Sequence, residues 1–243
     1  LSELFVVGIG PGGREDMTLR ADRVLSCCDI IVGYRLYVDL VRESYPQKEY
    51  IVSDMMREKE RCKAALELAA AGKRVALICS GDSGVYGMAS LVYELRGLSE
   101  KPEIEIVPGV TAALAGGALL GAPLGHDFAV ISLSDRLTEW AAIEKRLVCA
   151  ALSDMVIVLY NPASHARPDC LKRACGVLMR HIPEGRPCAV ARNISRRGEK
   201  TELLTLGELS SAPADMFCTV FIGSSTTKII NNKLVTPRGY HDV

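Results

Sequence analysis

The sequence has no surplus of charge, with 29 lysines and arginines balanced by 29 aspartates and glutamates. Without net positive charge it lacks a global attraction for nucleic acid or an anionic membrane, which counts against DNA or RNA as its main partner. It has no apolar run near the ~20 residues that a membrane-spanning helix needs. No charged segment leads into an apolar stretch and a cleavage site at its start, so a cytoplasmic protein is expected. Metal-binding spacings are missing as well. None of the nine cysteines forms Cys-x-x-Cys. Cys27 and Cys28 are adjacent and Cys170 and Cys175 weakly patterned, which reads as buried free thiols. His126, His165, His181 and His241 show no metal or triad spacing, and no metal is expected. Only His165, in the loop after Asn161, stands beside other candidate residues. Repeats and low-complexity tracts are absent.

What is present is the ordinary balance of a globular protein, 49% hydrophobic and 24% charged over 243 residues. That length suits one large domain or two small ones, each with its own core. Strand-like runs at 4–9, 29–33, 74–79 and 103–107 alternate with helical patterns at 18–26, 58–71 and 85–95. A small, apolar segment at 111–120 suits a helix packed tightly on a sheet. This β-α-β rhythm predicts a mostly parallel sheet with helices on its faces. Gly, Ala, Pro and Gly interrupt the pattern near 121–126, so domains of 1–121 and 122–243 are expected. The second half offers strands at 128–133, 155–160, 188–192, 201–206 and 217–222, with helices at 138–150 and 168–181. Its late strands follow one another without helices, predicting a mixed α/β sheet with antiparallel pairs. A cleft between the halves is the default ligand site.

The most visible motif is GIGPGG at residues 8–13, in which Gly8, Gly10 and Gly13 satisfy the dinucleotide fingerprint. Its context argues otherwise. The second strand ends in Gly33-Tyr34-Arg35, without the acid that would hold a ribose. Pro11 removes a backbone N–H, and the helix starts late, near Thr18. A second loop, SGDSGVYG at 80–87, follows the third strand. Its glycines permit close backbone approach and Asp82 offers a carboxylate, as a sulfonium cofactor requires. Asp82 can equally be read as a helix cap.

Taken in order, GIGPGG with Thr18, SGDSGVYG, PGVTA (108–112), SLSD (132–135), LYNP (159–162) and ARN (191–193) resemble the tetrapyrrole (corrin/porphyrin) methyltransferase family along essentially the whole chain. GYRLYVDLV (33–41), SLSD, YNP and ARN most resemble its precorrin-3B C17-methyltransferase branch. The resemblance implies a two-domain α/β enzyme, usually a homodimer. Its N-terminal domain would form the tetrapyrrole side of the cleft, and the C-terminal domain would complete an S-adenosylmethionine site. It implies cofactor contacts at Pro11, Ser80, Gly81, Asp82, Val85, Thr111, Ala112, Asn161 and Ile194, with the opening loop shaping the floor of the tetrapyrrole site. The family commonly has Pro after the G-D pair, where this chain has Ser83.

The implied reaction is methylation of precorrin-3B or cobalt-precorrin-3 at C17 with ring contraction, in cobalamin biosynthesis. An electron-rich tetrapyrrole carbon needs no protein nucleophile, so orientation, exclusion of water and proton transfer should dominate. Tyr34, Arg35 and Asp135 are the catalytic candidates, with Asp54, Tyr160 and Arg192 also at strand ends or in loops. Each could instead make a structural hydrogen bond. A polycarboxylate substrate would call on Arg14, Arg35, Arg136, Arg167, Arg192 or Arg196, although Arg196 and Arg197 beside Gly198 also read as a solvated hairpin tip. Rival readings are a methyltransferase of this fold with another substrate, an NAD(P)-dependent dehydrogenase using GIGPGG, and a nucleotide-sensing module.

Overall fold

A computed structural model describes residues 3–240; His241 lies outside them. Near-continuous apolar runs mark strands buried on both faces, as parallel sheets require. Three such strands, β1 (Glu3–Gly8), β2 (Ile30–Tyr34) and β4 (Arg74–Cys79), form one parallel sheet with two less buried edge strands, β3 (Glu49–Ser53) and β5 (Glu103–Val107). Their order is β3-β2-β4-β1-β5. Side chains alternate across it. Val7, Ile31, Ala76 and Ile78 pack under α1 (Leu19–Cys27) and α2 (Arg35–Val41). Leu4, Val6, Val32, Val75 and Leu77 pack under α3 (Glu58–Ala70) and α4 (Ala89–Arg96). The crossovers from β1 and β2 therefore carry helices on one face, and those from β3 and β4 on the other. Adjacent β1 and β4 send their chains in opposite directions, which makes their C-terminal ends a topological switch point, the usual ligand position in such sheets.

The chain divides into two compact units, 1–111 and 112–243. The division comes ahead of the 121/122 boundary expected from the glycine-rich interruption, because α5 (Ala112–Leu120) packs within the second unit. Ala113 and Leu120 are buried there against Val158, Ala189 and Phe221. The small residues of α5 serve this packing: a Cβ at Gly116 would lie 2.9 Å from Ile194 and 3.0 Å from Phe221.

The second unit holds β7 (Phe128–Ser132), β8 (Val156–Tyr160), β9 (Pro187–Arg192), β10 (Lys200–Thr205) and β11 (Cys218–Ile222) in the order β10-β9-β11-β8-β7. Only β7 and β8 pair in parallel, so the sheet is mixed, as expected. On one face lie α6 (Trp140–Leu152), α7 (Cys170–Leu178) and α8 (Leu206–Leu209), and on the other α5. A small sheet of β6 (Gly121–Ala122), β12 (Lys228–Ile230) and β13 (Lys233–Val235) was not foreseen. Asn231 and Asn232, both at positive φ, make the β12–β13 turn, the pair of conformations that a tight hairpin demands. Among the described residues no helix is long and apolar enough to cross a membrane.

Candidate functional site

Three loops meet at the C-terminal ends of β1, β4 and β5, and their backbones interlock. Gly10 and Gly81 exchange two hydrogen bonds, N–H to O at 3.0 Å and 2.7 Å. A Cβ at Gly8 would lie 2.7 Å from both the Gly109 nitrogen and the Gly81 oxygen. A Cβ at Gly109 would lie 2.1 Å from the Gly81 oxygen and 2.7 Å from the Gly8 carbonyl. All of these neighbours are main chain, which cannot swing aside, so the first and third loops need glycine there, while Gly81 of the second takes a left-handed φ of 66°. Thr18 ties the first loop to the third. Its hydroxyl donates to the Pro108 carbonyl at 3.1 Å and accepts from Ala21 N–H at 3.1 Å as the cap of α1. Gly8 and Gly10 of GIGPGG thus serve a three-loop junction. The delayed helix and the acid-free end of β2 also stand, which removes the physical basis of the dehydrogenase reading.

Asp82 fastens this junction. One carboxylate oxygen accepts from Gly84 N–H at 2.8 Å and Val85 N–H at 3.1 Å; the other accepts from Gly109 N–H at 2.9 Å. The helix-cap alternative does not hold, since α4 begins only at Ala89. The expected start of that helix at Val85 is displaced because Asp82 draws the Gly84 and Val85 N–H groups into its own turn. The next residue, Ser83, is fully buried and donates to the Val107 carbonyl at 3.2 Å, another tie between the second and third loops. Val85 and Tyr86 are exposed, and Tyr86 sits at φ 54°, a conformation that bulky residues avoid unless their surroundings enforce it.

Tyr34 and Arg35 stand together where β2 ends and α2 begins. The Tyr34 ring meets Tyr37 edge-on at 5.1 Å, and Arg35 pairs with Asp54 at 3.3 Å, both side chains largely exposed. Beneath them lies Arg61 of α3, which the sequence reading passed over. Its signal was legible: Arg61 falls four and eight residues before Ala65 and Ala69, on the buried face of α3.

In the second unit, the ends of β7 and β8 are joined by Asn161, whose amide donates to the Ser132 hydroxyl at 2.9 Å. The Tyr160 hydroxyl accepts from Ala113 N–H at 2.6 Å, satisfying a backbone donor in the first turn of α5. Asn161 and Asn193 both take left-handed backbone conformations directly after β8 and β9. Asparagine tolerates that region best after glycine, which explains its place in LYNP and ARN. Ile194 is buried, against Ala113, Ala191 and Phe221.

Several sequence-named groups already have partners. Asp135 pairs with Arg167 at 3.5 Å, and Arg192 with Asp215. Arg14 pairs with Asp22 at 2.9 Å. The Tyr45 hydroxyl donates to Asp22 at 2.5 Å and, with the Arg14 guanidinium, holds its carboxyl below the usual range. Arg196 and Arg197 fall in the β9–β10 turn, as the hairpin reading had it, and Arg196 lies 6.0 Å from the Phe217 ring. His126, His165 and His181 are exposed, and no group of ligands suited to a metal occurs among the described residues. All nine cysteines are free, and burial pushes the thiols of Cys28, Cys62 and Cys218 up to about 11.

Residues 3–210 match the family described as Tetrapyrrole (Corrin/Porphyrin) Methylases. A "Probable cobalt-factor III C(17)-methyltransferase" of Salmonella typhimurium strain LT2 is 46% identical over 98% of this chain and 99% of its own length. A "Precorrin-3B C(17)-methyltransferase" of Sinorhizobium sp is 40% identical over 98% and 96%. Among solved structures, the methyltransferase CobJ superposes with a TM-score of 0.88 at 35% identity, covering 96% of this chain and 99% of its own.

Proposed function

The chain belongs to the tetrapyrrole (corrin/porphyrin) methylases, and from that premise we propose that it methylates a corrin precursor at C17, with contraction of the macrocycle, in cobalamin biosynthesis. The observation that carries this reading is the end-to-end match to a relative named for that carbon, 46% identical over 98% of the chain. Cobalt-factor III is the preferred substrate, because the relative named for it is more similar than the one named for precorrin-3B, 46% against 40%. The cobalt would be part of the substrate.

The methyl donor in this reading is S-adenosylmethionine, which when bound supplies an electrophilic methyl group. The residues present suit such a ligand. The carboxylate of Asp82 is held in one orientation by three backbone N–H groups, and it favours a cationic ligand nearby. Beside it, Val85 offers an exposed apolar contact. Pro11, Ser80, Gly81, Asp82, Val85 and Thr111 are the proposed contacts from the first unit. Ala112, Asn161 and Ile194 are assigned to the cofactor from the second on the strength of the family pattern.

The substrate carbon is its own nucleophile, so the chain's work is to orient the macrocycle and manage protons. Tyr34, Arg35 and Asp135 are proposed for this. The Arg35–Asp54 pair is exposed on both sides. Exposed pairs contribute only about 0–1 kcal/mol, so Arg35 can exchange Asp54 for a substrate carboxylate at little cost. A homodimer is the assembly expected from the family.

Calorimetric titration tests the cofactor. S-adenosylhomocysteine should bind and NADH should not; binding of NADH without the thioether would overturn the proposal.

A further inference from the structure

Among the described residues Arg61 is the one buried charged side chain, only 5% exposed. Its guanidinium is held by neutral groups: Nε donates to the Ser53 hydroxyl at 2.6 Å, Nη2 to the Asp54 carbonyl at 2.9 Å, and Nη1 to the Met88 sulfur at 3.5 Å. The guanidinium carbon also lies 5.8 Å from the centre of the Tyr34 ring. Burying a cation without a carboxylate is unfavourable, and an apolar residue of similar length is commonly as stable or more so. An apolar side chain would also match Ala65 and Ala69 along the same helix. Fold stability therefore gives no reason for arginine here.

Geometry gives one. The planar fork spans several points at fixed angles, which neither lysine nor methionine can do. Tyr34 ends β2, Ser53 ends β3, Asp54 follows it, and Met88 immediately precedes α4. One side chain thus ties the ends of the neighbouring strands β2 and β3 to the start of α4. By fixing the Asp54 main chain it also sets the Asp54–Arg35 pair.

We infer that Arg61 is a positioning residue for the substrate, holding Tyr34 and the Arg35–Asp54 pair in the arrangement that receives the macrocycle. The inference rests on the methyltransferase reading above.

The test compares Arg61→Met and Arg61→Lys, each alone and with Tyr34→Leu, for thermal midpoint, S-adenosylhomocysteine affinity, and kcat and KM with cobalt-factor III. Arg61→Met should fold with thioether affinity within about twofold of the parent, while kcat/KM falls about tenfold or more. Arg61→Lys should recover only part of that loss. With Tyr34→Leu already present, Arg61→Met should lower kcat/KM by no more than about twofold further, because two residues acting through one arrangement are not additive. Should Arg61→Met fail to fold, Ser53→Ala removes one anchor and keeps the charge; it should lower kcat/KM at unchanged thioether affinity. Parental kcat/KM in Arg61→Met or in Ser53→Ala, full rescue by lysine, or multiplicative loss in the double variant would overturn the inference alone. Failure of the parent protein to bind the thioether would overturn the methyltransferase reading and this inference with it.

Discussion

Replacing Gly109 with alanine is the sharpest probe of the three-loop junction. The new Cβ would stand 2.1 Å from the Gly81 oxygen and 2.7 Å from the Gly8 carbonyl carbon and oxygen, all main-chain atoms. Relief requires the third loop to move away from the first two. That movement breaks or stretches the 2.9 Å bond from Gly109 N–H to Asp82. Overpacking costs about 1–3 kcal/mol, and a lost hydrogen bond to a charged group about 1.5–3 kcal/mol. The sum, roughly 2.5–6 kcal/mol, is a large share of the ~5–15 kcal/mol that holds a typical domain together. The control is Gly176→Ala on the exposed side of α7, where a Cβ meets nothing within 4 Å. That substitution should stabilise by about 0.5–1 kcal/mol through helix propensity. Urea unfolding of both variants, with S-adenosylhomocysteine titration of each, separates the effects. Gly109→Ala should unfold at lower urea and bind the thioether about tenfold or more weakly, while Gly176→Ala binds as the parent does. If Gly109→Ala matched Gly176→Ala in both assays, the interlocked junction would be refuted.

Other substitutions probe neighbouring claims. Asp82→Ala should lower stability by roughly 2–4 kcal/mol and weaken thioether binding. Asp82→Asn should rescue it poorly, since its single oxygen serves one side while its amide group would face a competing N–H; rescue by Asn in urea unfolding would count against the staple. Tyr160→Phe leaves Ala113 N–H without its 2.6 Å acceptor and should cost about 1–3 kcal/mol, read as a lower urea midpoint. Because the Asp22 carboxyl is held below its ordinary value of 3.8 by Tyr45 and Arg14, its contribution is complete above that value and lost as pH falls through the depressed one. The stability gap between the parent and Tyr45→Phe should therefore narrow as urea unfolding is moved from pH 7 toward pH 3. Ellman's reagent should label Cys27 and Cys149 quickly in the native protein and the seven buried thiols slowly; rapid labelling of all nine would contradict the packing.

Buried strands were legible because their apolar runs leave little choice, and the expected limits 74–79 coincide with β4. The edge strand β5 was legible from its Glu–Ile alternation, and its expected limits 103–107 also coincide. The segment at 18–26 likewise found its helix, with Thr18 as the cap. Elements that depend on tertiary partners were not read. The helix α2 has only seven residues, β3 is a half-buried edge strand, and β6 has two residues that pair only because β13 lies beside them. The start of α4 was misplaced for a side-chain reason, the turn that Asp82 makes with Gly84 and Val85.

The candidate site divides in the same way. GIGPGG, SGDSGVYG and PGVTA were visible as motifs, yet their shared cause, the mutual approach of Gly8, Gly81 and Gly109, is a property of the folded sheet. Asp82 was picked out for its charge, and its hydrogen bonds show that it also builds the loop it sits in. Arg14 and Arg192 looked available for a polycarboxylate, but Asp22 and Asp215 engage them. Sequence periodicity marks where a charge sits along a helix or strand, and only the fold supplies its counter-ion.

Methylation at C17 can be read out by incubating the protein with S-adenosylmethionine labelled with 13C in its methyl group and cobalt-factor III, then locating the label by NMR. One labelled methyl carbon should appear on the macrocycle, at C17, and it should disappear in Asp82→Ala at limiting cofactor. A label at another ring position, or no transfer by a protein that binds the thioether, would contradict methylation at C17.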